Sequence, residues 1–204
     1  TKHLGINENY AVIGQSWGGM LGMQYATTSR PGLKALIVAD SPASMKIWSS
    51  EAAKLRALLP ADVEAALKAA EAANDYTSPE FVAAMDVYYQ RHVCRIPFPQ
   101  NVLDSFAQIE EDPTVYHTMN GPSEFLCIGT LKSWDIHDDL HKISVPTLLL
   151  NGAYDEATPG MVQEIHRRIP DVLWEQFPES AHMPHVEEPE RFSRIVNGFL
   201  DAKL

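Results

Sequence analysis

The pentapeptide Gly14-Gln15-Ser16-Trp17-Gly18 constrains this chain more than any other feature, because its surroundings require a sharp turn from strand to helix. A short apolar run at 10–13 precedes it, and a stretch with helical periodicity at 18–29 follows it. Short, partly β-branched runs closed by turn residues indicate buried strands. A G-x-S-x-G pentapeptide at such a junction strains its serine and exposes the hydroxyl at the sheet edge. Ser16 is therefore a candidate nucleophile.

A nucleophilic serine needs a histidine base, and the histidine needs an orienting acid. After a turn of this kind the chain order is serine, acid, histidine, with each partner following a later strand. Asp155 follows the apolar run at 145–152, and His182 follows the run at 172–177. His185 is an alternative base. We favour His182 because it ends the first tight turn after the strand.

The composition predicts one α/β domain with a helical insertion. The chain has 204 residues, of which 45% are hydrophobic, enough to bury a core. Residues 1–44 and 141–204 carry the strand and helix patterns of an α/β core. Residues 45–140 show only helical patterns and are predicted to form a cap inserted between sheet strands. That segment holds 7 lysines and arginines against 15 aspartates and glutamates, so most of the acidity lies there.

Several functional classes are disfavoured. A net charge of −11 argues against nucleic-acid binding, and no apolar run is long enough to cross a membrane. His137 and His141 share a spacing of four, but no third ligand completes a site, so neither a metal nor another cofactor is expected. Cys94 and Cys127 could form one disulfide. We interpret them as two buried thiols in a reducing compartment, which favours a cytoplasmic location.

Two motifs in the insertion, and a third in the α/β core that follows it, resemble those of a known family. The chain resembles the proline iminopeptidases, serine aminopeptidases of the α/β-hydrolase fold that include the archaeal tricorn-interacting aminopeptidase. The resemblance covers essentially the whole chain. Its most specific stretches are Met-Asn-Gly-Pro-Ser-Glu-Phe at 119–125, Gly-Thr-Leu-Lys-Ser-Trp-Asp-Ile at 129–136 and Asp-Glu-Ala-Thr-Pro at 155–159.

The resemblance implies a role for each candidate residue. Ser16 is the nucleophile, His182 the base and then the acid, and Asp155 the orienting carboxylate. The backbone N–H of Trp17 is one oxyanion donor. Glu124 and Glu156 match the carboxylates that bind the free α-amino group of the substrate. The alternative is that Glu124 is an acid on a helix surface and Glu156 an acid in a turn beside Asp155.

The expected activity is that of a serine aminopeptidase. It would release an N-terminal residue, preferentially proline, from short peptides or amino-acid amides through an acyl-enzyme. One alternative is an amino-acid amidase or esterase on the same fold. An alternative of another class is a non-catalytic α/β-hydrolase relative that binds a ligand. Candidates for lining the substrate pocket, each of which could equally be core, are Trp48, Tyr88, Tyr89, Phe98, Phe125 and Trp134.

One departure from the family concerns the start of the chain. Family members carry a preceding segment that supplies the first sheet strands and a glycine-rich loop with the second oxyanion donor. This chain begins at Thr1 without that segment and is expected to expose one sheet edge. We therefore expect it to be the C-terminal two-thirds of the fold, completed by an N-terminal segment of the same protein.

Overall fold

A parallel sheet forms the centre of the molecule in the computed structural model, which describes residues 2–204. The strands are β1 (Tyr10–Gln15), β2 (Leu33–Ala39), β3 (Thr147–Gly152) and β4 (Val172–Phe177). They lie side by side in chain order, and every neighbouring pair is parallel. The carboxyl ends of all four strands therefore meet at one edge, where ligands bind in open α/β sheets.

Nine α-helices connect and cover these strands within residues 2–204. Five of them lie between β2 and β3. The helices are α1 (Trp17–Ala26), α2 (Met45–Arg56), α3 (Ala61–Ala73), α4 (Pro79–His92), α5 (Gln100–Glu111), α6 (Thr114–Met119), α7 (Pro159–His166), α8 (Pro184–Glu187) and α9 (Pro189–Lys203).

Both faces of the sheet are covered, and β2 is apolar and buried from Ala35 to Ala39. Leu36 and Val38 point to the face that carries α1 and α7, where Met23 and Ile165 complete a buried cluster. The alternate residues of β2 point to the opposite face, and Phe199 of α9 packs there. A strand buried on both faces reads as a continuous apolar run rather than an alternating one, as expected for a parallel sheet.

The helices between β2 and β3 have a core of their own. Leu67 of α3 and Phe81 and Tyr88 of α4 are buried together with Phe125. The side chain of Ser78 accepts a hydrogen bond from the Phe81 backbone N–H, so α4 begins with the serine cap and the N1 proline that the sequence predicts.

Three further observations concern single predictions. Cys94 and Cys127 are both free thiols; Cys94 is buried as expected, but Cys127 is only half-buried, so the prediction of two buried thiols is wrong for that residue. In the part of the chain that the structure describes, no helix combines the length and apolar character needed to cross a bilayer. The outer strand β1 leaves Ile13 55% exposed.

Candidate active site

Ser16 occupies the turn between β1 and α1 in the strained conformation that the pentapeptide predicts. Its φ of 52° lies in the left-handed region, which a non-glycine residue rarely adopts. A Cβ at Gly14 would collide with the backbone of Gly18, and one at Gly19 would collide with the Ser41 side chain. Gly18 itself has open space, so the close approach of strand and helix depends on Gly14 and Gly19 rather than on both glycines of the motif.

Backbone hydrogen bonds hold the Ser16 turn in place. Its N–H donates to the Ala39 carbonyl at 2.9 Å, and the Ser41 hydroxyl donates to its carbonyl at 2.8 Å. Trp17 is the first residue of α1, so its N–H has no acceptor within the helix. That N–H and the helix dipole are available to stabilise negative charge beside the serine.

Asp155 and His182 form a buried hydrogen-bonded pair. Nδ1 of His182 donates to Oδ1 of Asp155 at 2.6 Å, and the two residues are 3% and 1% exposed. The same oxygen accepts a second bond, from the Ala157 N–H at 2.8 Å. His185 is exposed and its ring packs edge-on against Phe192 instead. The structure thus brings Asp155 to His182 and not to His185.

The second ring nitrogen of His182 is the one available to the serine. Among the described residues, Nε2 of His182 is buried and has no hydrogen-bond partner, and no hydrogen bond joins it to Ser16. In free enzymes such catalytic hydrogen bonds are often long and tighten only when substrate binds. With Ser16 after β1, Asp155 after β3 and His182 after β4, the topology delivers all three to one edge of the sheet.

The charge of the surroundings favours the protonated form of His182. Burial alone would lower the pKa of this imidazole, but the hydrogen bond and charge of Asp155 and the charge of Glu156 raise it to about 9. Oε1 of Glu156 lies 4.0 Å from Nε2 of His182. The histidine is therefore a strong base held beside two carboxylates.

Glu156 is a buried acid without a hydrogen-bond partner of its own. Its side chain is 1% exposed, neither carboxylate oxygen forms a hydrogen bond among the described residues, and the buried Tyr88 hydroxyl, which also lacks a partner, is a nearby group able to donate to it. Burial raises the pKa of this carboxyl well above its usual range, and the positive charge of His182 opposes that rise. A buried, unpaired carboxylate is costly unless a cation joins it.

Glu124, the other acid predicted to bind the substrate amine, is half-buried. The Tyr116 hydroxyl donates to its Oε1 at 2.8 Å, and its backbone N–H donates to the Tyr89 hydroxyl oxygen at 3.3 Å. Nε1 of Trp48 donates to its carbonyl at 2.9 Å, while the Trp48 ring stands edge-on to the His182 imidazole. Trp48 thus links Glu124 to His182, and the charges of Glu124 and Glu156 both help to raise the pKa of His182.

Of the predicted pocket residues, the structure gathers four around these acids. Trp48, Tyr88 and Tyr89 join Phe125 there, with the rings of Tyr88 and Phe125 4.7 Å apart. Phe98 packs on Phe106, and Trp134 donates to Gln24. Trp134 also packs against the cluster that contains Trp48 and Ala157, and so borders the site.

Sequence reasoning missed two acids that hold the site together. Glu187 accepts hydrogen bonds from the N–H groups of Ala181 and Met183, which flank His182, and from the N–H of Arg95. Asp40 follows β2, so that all four strands end in a residue at or beside the site. Its place directly after a predicted strand was the available signal.

The end of α4 fastens both catalytic loops. The His92 carbonyl accepts from the Glu156 N–H at 3.3 Å, and the Val93 carbonyl accepts from the His182 N–H at 3.0 Å. On the sheet side, Nε2 of Gln15 donates to the His182 carbonyl at 3.0 Å. The helical segment and the sheet therefore position the histidine jointly.

This arrangement can carry out nucleophilic acyl transfer. A strained serine, an oriented imidazole and a free helix N–H provide the nucleophile, the proton carrier and a donor for the oxyanion. Residues 2–204 contain no cluster of three metal-ligating side chains.

Known proteins are similar to this chain in amino-acid sequence. A family model described as alpha/beta hydrolase fold matches residues 1–189. The proline iminopeptidase of Thermoplasma volcanium is 32% identical over 100% of this chain and 69% of its own length. That of Saccharolobus solfataricus is 35% identical over 96% of this chain and 63% of its own length. The chain thus spans about two-thirds of the length of these relatives.

Two solved structures are similar to this chain in both sequence and fold. The crystal structure of proline iminopeptidase from Mycobacterium smegmatis is 48% identical, with a TM-score of 0.91 over 98% of this chain and 67% of that one. The crystal structure of VinJ is 49% identical, with a TM-score of 0.97 over 100% of this chain and 69% of that one. The α/β-hydrolase fold predicted from the sequence is confirmed, and the chain belongs to the proline iminopeptidase family.

Proposed function

We propose that this chain carries the catalytic centre of a serine aminopeptidase that releases an N-terminal residue, preferentially proline, from short peptides or amino-acid amides. The observation that supports this most strongly is the pair of carboxylates, Glu124 and Glu156, beside His182. An enzyme for simple esters has no use for them. An α-ammonium group would supply the cation that the unpaired Glu156 lacks.

The proposed reaction has two acyl-transfer steps. Nε2 of His182 takes the proton of the Ser16 hydroxyl as Oγ attacks the scissile carbonyl carbon, and the oxyanion forms beside the Trp17 N–H. His182 then gives the proton to the leaving amine, which leaves an ester on Ser16. Water, deprotonated by His182, hydrolyses this ester and releases the N-terminal residue as the free acid.

Substrate binding would also adjust the base. In the free protein the charge of Glu156 helps to hold the pKa of His182 at about 9. An ammonium group between Glu124 and Glu156 offsets that charge and returns the imidazole toward its neutral form. A substrate with a free amine would thereby be both positioned and activated, and the acidic helical segment would attract it.

A panel of amino-acid arylamides tests this proposal. Compounds with proline, alanine or leucine at the N-terminus are compared with N-acetylated proline arylamide, and Ser16→Ala is the inactive control. We expect the proline compound to be cleaved fastest and the acetylated one not at all. Equal cleavage of the blocked compound would exclude an aminopeptidase, and cleavage of simple esters alone would favour the esterase alternative.

A further inference from the structure

Asp40 stands at the end of β2 in an unusual backbone conformation. Its φ is 53°, and the only other non-glycine residues with positive φ among residues 2–204 are Ser16 and Asn74. Asn74 merely ends helix α3. Asp40, like Ser16, closes a strand at the catalytic edge, and its N–H donates to the Leu150 carbonyl of the adjacent β3 at 2.8 Å. Strain of this kind concentrates at functional sites.

The Asp40 carboxyl is buried next to the orienting acid. It is 0% exposed, its backbone N–H bonds the strand that leads to Asp155, and the charge of the Asp155 carboxyl helps to raise its pKa. If both groups are ionised, three buried oxygens form no hydrogen bond within the described part of the chain: Oδ1 and Oδ2 of Asp40 and Oδ2 of Asp155. Unpaired buried oxygens are rare in native proteins, and two carboxylates that share a buried site cannot both hold their charge.

Among residues 2–204, no cation pairs with the Asp40 carboxyl itself. The charged groups that act on Asp40 are Asp155, in the loop after β3, and Glu187 of α8, and both are acids. Burial, followed by the charge of Asp155, raises the pKa of the Asp40 carboxyl well above its usual range, and the nearby Gly152 backbone opposes this rise. Asp155 already accepts a hydrogen bond from His182 and so is the acceptor of the pair.

We propose that Asp40 is a positioning residue whose carboxyl carries a proton and donates a hydrogen bond to Oδ2 of Asp155. The single proton pairs Oδ2 of Asp155 and one oxygen of Asp40. Asp155 is then held from both ends, by His182 and Ala157 on Oδ1 and by Asp40 on Oδ2. This inference rests on the proposed roles of Ser16, Asp155 and His182, but not on the identity of the substrate.

The proposed hydrogen bond would moderate the basicity of His182. Drawing electron density toward Oδ2 weakens the negative field that Oδ1 exerts on the imidazole. Loss of the donor should therefore raise the pKa of His182 and reduce the fraction of neutral base near neutral pH. A net hydrogen bond of about 1 kcal/mol corresponds to a shift of roughly 0.7 pH unit.

Asp40→Asn and Asp40→Ala test this, with Asp138→Asn as an exposed control. The readout is the pH dependence of Ser16 labelling by an uncharged fluorophosphonate, which needs no peptide specificity and so can succeed even if the proposed substrate class is wrong. Asparagine keeps a donor toward Asp155 and tolerates a positive φ. The acid limb, which is the rise of the labelling rate with pH as His182 loses its proton, should therefore stay within about 0.3 pH unit of the wild type. Alanine should move the limb up by about 0.7 unit.

Two results would overturn the proposal. A limb that moves to lower pH in Asp40→Asn would mean that the native carboxyl is ionised, since only the loss of a negative charge lowers the pKa of His182. An unchanged limb in a folded Asp40→Ala protein would mean that Asp40 does not act on the triad. If the alanine variant does not fold, infrared spectroscopy decides: a protonated-carboxyl band lost in Asp40→Asn supports the proposal, and its absence from the wild type refutes it.

Discussion

Replacing Glu156 by glutamine should have opposite effects on two kinds of substrate. The change removes a charge whose oxygen lies 4.0 Å from Nε2 of His182. It therefore lowers the pKa of the imidazole, which stands at about 9 in the native protein. At pH 7 a group with that pKa is neutral in about one molecule in a hundred, so most histidines start in the form that cannot act as a base.

The size of the effect follows from the distance. Two unit charges 4 Å apart interact by about 4 kcal/mol at an effective dielectric constant of 20, which sets an upper limit of about three pH units. Burial also raises the pKa of Glu156, which opposes its ionised form, so the effect is smaller than this limit. We expect a shift of about one unit, and hence about a tenfold gain in neutral base at pH 7.

Labelling by an uncharged fluorophosphonate and turnover of proline arylamide separate the two effects. In Glu156→Gln, the acid limb of labelling should move down by about one unit, while kcat/KM for the arylamide falls because the ammonium group loses a partner. Circular dichroism checks that the variant folds. If the acid limb stays in place or moves up, the attribution of the His182 pKa to Glu156 is wrong.

Three further predictions concern Glu124, Gly14 and Glu187. Glu124→Gln should lower kcat/KM for proline arylamide by about 10- to 100-fold, the value of a charge-assisted hydrogen bond, and leave ester hydrolysis nearly unchanged; equal losses would refute amine binding. Gly14→Ala should slow Ser16 labelling on the order of 100-fold because the elbow must shift, whereas Gly198→Ala, which has open space, serves as the control. Glu187→Gln should lower the free energy of unfolding by about 1–2 kcal/mol, measured by urea denaturation; an unchanged midpoint would contradict its role in fastening the His182 loop.

Much of the architecture could be predicted because its signals are local. The nucleophile turn is encoded by five adjacent residues, and β4 at 172–177 was predicted with the bounds that the structure has. Helix ends were less accurate: α1 begins at Trp17 and ends at Ala26, earlier than its periodicity at 18–29 suggests. Terminal turns depend on tertiary contacts and caps that the apolar pattern does not encode.

The positions of the acids could be predicted only in part. Asp155 follows from the order of elements along the chain. Asp40 does not, because its importance depends on the parallel register that puts the ends of β2 and β3 side by side, although more than a hundred residues separate Asp40 from Asp155. Glu187 is similar, since its partners are backbone N–H groups in a loop whose path no side-chain pattern reveals.

The hydrogen bonds from the end of α4 make the catalytic geometry a property of the whole assembly. Because the His92 and Val93 carbonyls hold the N–H groups of Glu156 and His182, local melting of α4 releases both residues. Amide hydrogen exchange at these two positions should therefore follow the opening of α4 rather than that of the sheet. A change in the helices between β2 and β3 that is made to alter substrate specificity therefore also alters how often Glu156 and His182 are held in place.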